Sequence, residues 1–133
     1  MPAETLNLSL SQFLLVALGG ATGSVLRWTS STIVAAWTKP SSFPWGTTAV
    51  NLAGCFVIGL LMGAAEYRGA FGPNARLLLV TGLVGGFTTF STFGFETVQL
   101  LRAGRAVAAA ASVLLQVGVG IGAIVAGLAL ARR

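Results

Sequence analysis

The chain has 133 residues, 55% of them hydrophobic and only 8% charged, with eight basic and three acidic side chains giving a net charge of +5. A soluble domain carries about 25% charged residues, so neither a water-facing globule nor a disordered chain fits, and lipid is the expected solvent. The sequence holds no His and no Asp, and its carboxylates are Glu4, Glu66 and Glu96; Ser-His-Asp hydrolysis, His-based zinc sites and paired-carboxylate glycoside chemistry lack their parts, and no enzyme is expected.

A membrane-crossing helix needs about 20 largely apolar residues. Four charge-free intervals meet that length, and trimming the loops predicts spans near 10–36, 46–67, 76–101 and 106–130 in a single domain covering 1–133. The first span lacks a basic stretch before it, with Glu4 in that place, so it reads as a span rather than a signal peptide. Arg27 falls inside or near the end of this span, beside Trp28. A membrane-embedded Arg is costly; the alternatives are a headgroup anchor, a basic vestibule that gathers anions, or a structural cap.

Lys39-Pro40-Ser41-Ser42-Phe43-Pro44 makes the first turn. The second span opens on Trp45-Gly46-Thr47-Thr48-Ala49-Val50-Asn51. The Asn51 amide offers two donors, for interhelical bonding or for a ligand. The lone Cys55 lies in an apolar run and reads as a small hydrophobe.

The third span carries Gly82-Leu83-Val84-Gly85-Gly86-Phe87-Thr88-Thr89-Phe90-Ser91-Thr92-Phe93-Gly94-Phe95-Glu96. Glycine and threonine are poor helix formers, and hydroxyls compete with the helical ladder. A break near 85–89 is predicted, against an unbroken helix whose hydroxyls bond back to the preceding turn. Broken backbone at membrane depth persists only if buried in protein or facing water. Its freed carbonyls suit a cation and its half-helix N-terminus an anion. Phe90 and Phe93 share a face, and their electropositive ring edges could line an anion path without a trapping charge. Glu96 follows, to pair with a base or flank an entrance.

In the fourth span, Val113 to Val125 offers one polar side chain, Gln116. Small-xxx-small pairs occur once per span, at Gly19/Gly23, Gly59/Gly63, Gly82/Gly86 and Gly118/Gly122, and predict close helix packing. With four spans the termini share a side. That side carries Arg68, Arg76, Arg132 and Arg133; the other carries Lys39, Arg102 and Arg105. So small a difference scarcely fixes orientation. Either the chain inserts one way with a weak bias, or copies insert both ways and pair antiparallel, assembling from two chains the inverted repeat of larger transporters. The basic residues are scattered between apolar runs, which suits lipid headgroups and gives no footing for nucleic acid.

Three motifs, Gly19-Gly20-Ala21-Thr22-Gly23-Ser24-Val25-Leu26-Arg27-Trp28, Trp45 to Gly54, and Thr81 to Phe93, resemble the Fluc (CrcB) family of fluoride channels, over about residues 13–130. The resemblance implies an all-α membrane protein of four transmembrane helices with the third broken, forming an antiparallel dual-topology homodimer in the bacterial inner membrane. It implies two pores that let cytoplasmic fluoride leave passively. By match to the family's motifs it assigns Asn51, Phe90 and Phe93 to the pore, with Ser91 and Thr92 as hydroxyls near the ion path. Arg27 and Glu96 match characteristic charged positions. A structural sodium ion is implied at the dimer centre, held by the carbonyls of Gly85 and Thr88 of both chains. Family members often carry small hydroxyls in the middle of the fourth span; Gln116 stands there instead and is assigned to the pore as a donor in their place. The rival readings are a small dual-topology proton-coupled multidrug exporter, for which only Glu96 could be the membrane-buried carboxylate, and a non-transporting assembly subunit.

Overall fold

The computed structural model describes residues 8–133; Glu4 lies outside them. Four helical segments are long and apolar enough to cross a membrane: Leu10–Trp37, Trp45–Arg68, Pro73–Arg102 and Ala106–Ala131. The chain is thus a multi-pass, all-helical membrane protein, with no strand among the described residues. The first span starts on a capping box: the Ser9 hydroxyl accepts from the Gln12 N–H, and the Gln12 side chain accepts from the Ser9 N–H. The second ends on Gly69 and the tight third loop turns on Gly104, both at positive φ (56° and 72°), where glycine carries no steric penalty.

Two helix pairs organise the packing. The first span lies against the early part of the third, and the second lies along the fourth. Lipid offers no hydrophobic drive for such pairing, so backbone proximity and dispersion hold it. A Cβ on Gly23 would meet the Leu83 carbonyl, and one on Gly19 the Leu78 carbonyl. Across the second pair, a Cβ on Gly59 would meet the Ile124 carbonyl, and one on Gly127 the Phe56 carbonyl. The expectation for the fourth span needs correction. Gly118 and Gly122 have nothing within 4 Å, and it is Gly120 and Gly127 that turn inward. Ala109, Ser112, Gly120, Gly127 and Ala131 share one buried face at helical spacing, and Gly118 and Gly122 fall on the opposite face.

The third span is composite. Pro73–Arg76 is α-helical, Leu77–Val84 π-helical and Gly85–Phe87 α-helical again. Thr88 (φ −85°, ψ 158°) and Thr89 (φ −150°, ψ 116°) are extended, and a helix resumes at Phe90 and runs to Arg102. The Thr89 hydroxyl caps this restart by accepting from the Thr92 N–H at 3.3 Å.

Both ends of the bundle are tied. At one, the Arg105 guanidinium donates to the Ser42 hydroxyl, joining the first and third loops. At the other, the Arg132 guanidinium lies 4.8 Å from the centre of the Tyr67 ring, a cation–π contact that fixes the end of the fourth span to the end of the second. Most large apolar side chains face outward, among them Trp28, Trp37, Val107 and Ile121, as suits a surface solvated by lipid.

Candidate functional site

The extended pair Thr88–Thr89 interrupts the helical ladder, and side chains from other spans take up what the interruption releases. In a continuous α-helix the Thr89 N–H would go to the Gly85 carbonyl. It goes instead to Asn51 Oδ1 at 2.8 Å, while Asn51 Nδ2 donates to the Thr89 carbonyl at 2.9 Å. One carboxamide thus pairs with both backbone groups of one residue. Arg27 acts nearby: its Nε donates to the Gly86 carbonyl at 3.1 Å. The half-buried Arg27 is therefore held by a freed carbonyl within the bundle, a specific form of the structural cap.

Asn51 also reaches the fourth span. Its Nδ2 donates to Gln116 Oε1 at 2.6 Å, and Gln116 Nε2 donates to Ser112 Oγ at 3.1 Å and Thr48 Oγ1 at 3.3 Å. Thr48 in turn donates to the Pro44 carbonyl at 2.8 Å. The result is a connected run of polar groups from Thr89 through Asn51 and Gln116 to Ser112 and Thr48, the last two almost wholly buried. Buried polar groups are tolerable in this way only when each finds a partner. Ser112 and Thr48 were missed as site residues by the sequence reasoning. Their signal was present: Ser112 and Gln116 are four apart, as are Thr47 and Asn51, with Thr48 three before Asn51, spacings that put side chains on one helix face.

A cavity of about 320 Å³ opens beside this run, with Asn51, Gln116, Thr88, Thr89, Phe90 and Phe93 in its wall. The two rings meet edge to face, 5.6 Å between centroids at 60°, so ring edges are presented rather than one shared face. They differ in environment: Phe93 is buried, whereas Phe90 is 81% exposed in the single chain. Cys55 lines the apolar side of the same cavity. Ser91 is exposed and is not in its wall, and Thr92 faces a second cavity of about 460 Å³ on the far side of the restart, shared with Ser31, Lys39, Thr47 and Glu96. The structure therefore gathers Asn51, Phe90, Phe93 and Gln116 at one place, and sets Thr92 and Glu96 at another.

Glu96 has a hydroxyl partner, not a basic one. Thr47 Oγ1 donates to its Oε1 at 2.8 Å, and its Oε2 is buried with no hydrogen-bond partner among the described residues. The carboxylate lies between the cavity lined by Thr92 and a third, of about 350 Å³, that it shares with Ser42 and Arg105. Glu96 is therefore set apart from the cavity that holds the paired rings.

No cluster of three or more His, Cys, Asp or Glu occurs among the described residues; backbone carbonyls are a second class of cation ligand, one that requires oxygens freed from helical bonding. Gly85 and Thr88 fit that requirement. The Gly85 carbonyl has lost the Thr89 N–H to Asn51, and the Thr88 carbonyl has lost the Thr92 N–H to the Thr89 hydroxyl. Gly85 is also exposed, with only the Val80 carbonyl within 4 Å of where its side chain would stand. Two carbonyls per chain are too few for a cation that takes several oxygens; a second chain would double them.

Comparison with known proteins gives one family. Residues 14–128 match a family model described as CrcB-like protein, Camphor Resistance (CrcB). A protein of Methylobacillus flagellatus named fluoride-specific ion channel FluC is 51% identical over 110 residues, covering 83% of this chain and 86% of that one. A protein of the same name from Rhizobium leguminosarum bv. trifolii is 46% identical over 124 residues, covering 91% and 96%. Another, from Streptomyces avermitilis, is 44% identical over 116 residues, covering 87% and 92%.

Proposed function

The chain belongs to the CrcB-like family, and from that premise we propose that it is a fluoride-selective ion channel, not an enzyme, through which cytoplasmic fluoride leaves down its gradient. The observation that carries the reading is the cavity in which a carboxamide, a helix restart and two ring edges meet without a formal charge. Fluoride holds its water tightly, so a path must offer hydrogen-bond donors and weak positive potential dense enough to replace that water. A fixed cation at the narrowest point would trap the ion instead. The N-terminus of the restarted helix at Phe90 adds its partial positive charge to this wall.

The conducting form in this reading is an antiparallel homodimer in the bacterial inner membrane. Three observations support it: the near balance of basic residues between the two ends, the exposure of Phe90 at the mouth of a cavity that one chain leaves open, and the bare face of Gly118 and Gly122. A second copy would cover Phe90 and complete the passage. The interrupted third span serves this arrangement, since its extended residues lie against other protein segments rather than lipid. The carbonyls of Gly85 and Thr88 from both chains would hold a sodium ion at the centre; bound there, it would supply a fixed positive charge that joins the two interruptions. Thr92 and Glu96 with Thr47 would line the approach, Arg27 would hold the Gly86 carbonyl and lend positive potential, and Ser91 would lie toward the partner chain. Headgroup contacts fall to the arginines at the two ends.

The test is fluoride efflux from liposomes containing the purified protein, with a potassium ionophore to balance charge. Rapid fluoride release with little chloride release is expected. Vesicles that keep their fluoride would refute the channel. Acidification on drug movement would point to the proton-coupled exporter instead.

A further inference from the structure

Asn51 has no donor to spare. One Nδ2 hydrogen goes to the Thr89 carbonyl and the other to Gln116 Oε1, and Oδ1 is taken by the Thr89 N–H. A carboxamide has only two N–H groups, so the group best placed to meet an anion in the cavity is already engaged by an acceptor from its own chain. The orientation of Gln116 is fixed by its neighbours. Thr48 Oγ1 gives its hydrogen to the Pro44 carbonyl and can only accept from Gln116, so the Gln116 nitrogen must face Thr48 and Ser112 and its oxygen must face Asn51. Gln116 sits in the π-helical stretch Leu114–Val119, a winding often found at functional sites, and lines the same cavity as Phe90 and Phe93.

We infer that the Gln116 carboxamide oxygen is an internal competitor for the ion. It occupies the second Asn51 N–H in the empty pathway, and a passing anion must displace it. The inference rests on the channel reading above and goes beyond it: Gln116 sets the affinity of the path by holding Asn51's donor, rather than simply adding a donor of its own. The consequence is a defined sign. A binding-competent state that is only part-populated weakens apparent affinity by the populated fraction. Removing the competitor should therefore tighten binding, where loss of a donor would weaken it. One neutral hydrogen bond is worth about 0.5–1.5 kcal/mol, roughly twofold to just over tenfold in affinity.

The experiment measures the initial fluoride efflux rate against internal fluoride concentration, for wild type, Gln116→Ala, Gln116→Ser and Gln116→Glu in liposomes, each first checked as a monodisperse purified protein. The half-saturating fluoride concentration should fall roughly twofold to just over tenfold in Gln116→Ala and Gln116→Ser. It should be unreachable in Gln116→Glu, whose carboxylate holds the Asn51 donor more strongly and repels the ion. A half-saturating concentration that is unchanged or raised in both neutral variants overturns the inference, as does normal conduction by Gln116→Glu. Should neither neutral variant be obtained folded, fluoride titration of the wild type followed by side-chain amide NMR decides: the Gln116 and Asn51 NH₂ signals must both move with fluoride and not with chloride, and static signals overturn it. Absence of flux in the wild type would sink the channel reading itself, an outcome separate from all of these.

Discussion

The Asn51 carboxamide and the Thr89 backbone form a closed two-bond ring, with Thr89 N–H to Oδ1 at 2.8 Å and Nδ2 to the Thr89 carbonyl at 2.9 Å. The second span thereby supplies, with one side chain, the acceptor that the Thr89 N–H loses at the interruption and a further donor to the Thr89 carbonyl. Asn51 is on this geometry the brace of the interruption as well as a wall of the cavity.

Asn51→Asp tests both roles together. Aspartate keeps the acceptor for the Thr89 N–H but turns oxygen lone pairs toward the Thr89 carbonyl and Gln116 Oε1, where two hydrogen bonds now stand. Each buried group left unpaired costs about 1–3 kcal/mol, and a fixed negative charge repels an anion. Fluoride efflux should fall by roughly two orders of magnitude or more, and the purified protein should melt at lower temperature. Normal efflux from Asn51→Asp would remove Asn51 from the pathway.

The two phenylalanines should separate stability from conduction. Phe93 is buried, so Phe93→Ile changes shape inside a packed wall and should destabilise the chain by about 1–2 kcal/mol. Phe90 is exposed in the single chain, so Phe90→Ile should leave the melting temperature of a detergent-solubilised monomer nearly unchanged. Both replace an electropositive ring edge with an aliphatic surface, and both should slow fluoride efflux at least about tenfold, the worth of one weak electrostatic contact of about 1.4 kcal/mol. Unchanged efflux in both variants would dismiss the ring edges as ion-path groups.

Much of this architecture is legible in the residues alone, and the reasons are physical. Charge is so costly in lipid that most of the eleven charged side chains mark span ends, the exceptions being Arg27, which the Gly86 carbonyl receives within the bundle, and Glu96, which the Thr47 hydroxyl receives. The run Gly85 to Thr92 concentrates residues that disfavour the helix, and Thr88 and Thr89 are the residues that leave helical geometry. What the residues did not reveal depends on contacts between spans. Ser112 lies just outside the stretch 113–125 and is significant only because Gln116 turns back to it. The π-helical winding at Leu77–Val84 and Leu114–Val119 has no compositional mark, and a small-xxx-small pair does not itself say which face packs: Gly120 turns inward and Gly118 does not. The sequence left Glu96 either to pair with a base or to flank an entrance, and could not supply Thr47, from the second span, as its partner.

The glycines give a paired prediction. A methyl group at Gly23 would run into the Leu83 carbonyl, and that obstacle is backbone, which cannot rotate away. Gly23→Ala should therefore force the first and third spans apart and destabilise the chain by about 1–3 kcal/mol. Gly20, one turn away on the same span, has nothing within 4 Å of a Cβ. Gly20→Ala should be neutral or stabilising by about 0.5–1 kcal/mol, because alanine loses less backbone entropy in a helix. Thermal melting in one detergent compares the two directly; equal melting temperatures would show that the first and third spans do not meet backbone to backbone at Gly23.

Orientation in the membrane should respond to very few charges. Arg68, Arg76, Arg132 and Arg133 oppose Lys39, Arg102 and Arg105, and the side richer in Lys and Arg stays cytoplasmic. Lys39→Gln with Arg102→Gln removes two charges from the poorer side and should drive nearly every molecule to one orientation. Arg68→Gln, Arg76→Gln and Arg133→Gln together leave one charge against three and should drive the opposite one. An antiparallel dimer cannot form from either population alone, so each variant should lose fluoride resistance when expressed singly in a fluoride-sensitive host. Co-expression should restore it, because the two populations supply the two orientations. Accessibility labelling of a terminal tag in intact cells and in inverted vesicles reads the orientations directly. Full resistance from either variant alone, with labelling on one side only, would mean that chains lying parallel suffice to conduct.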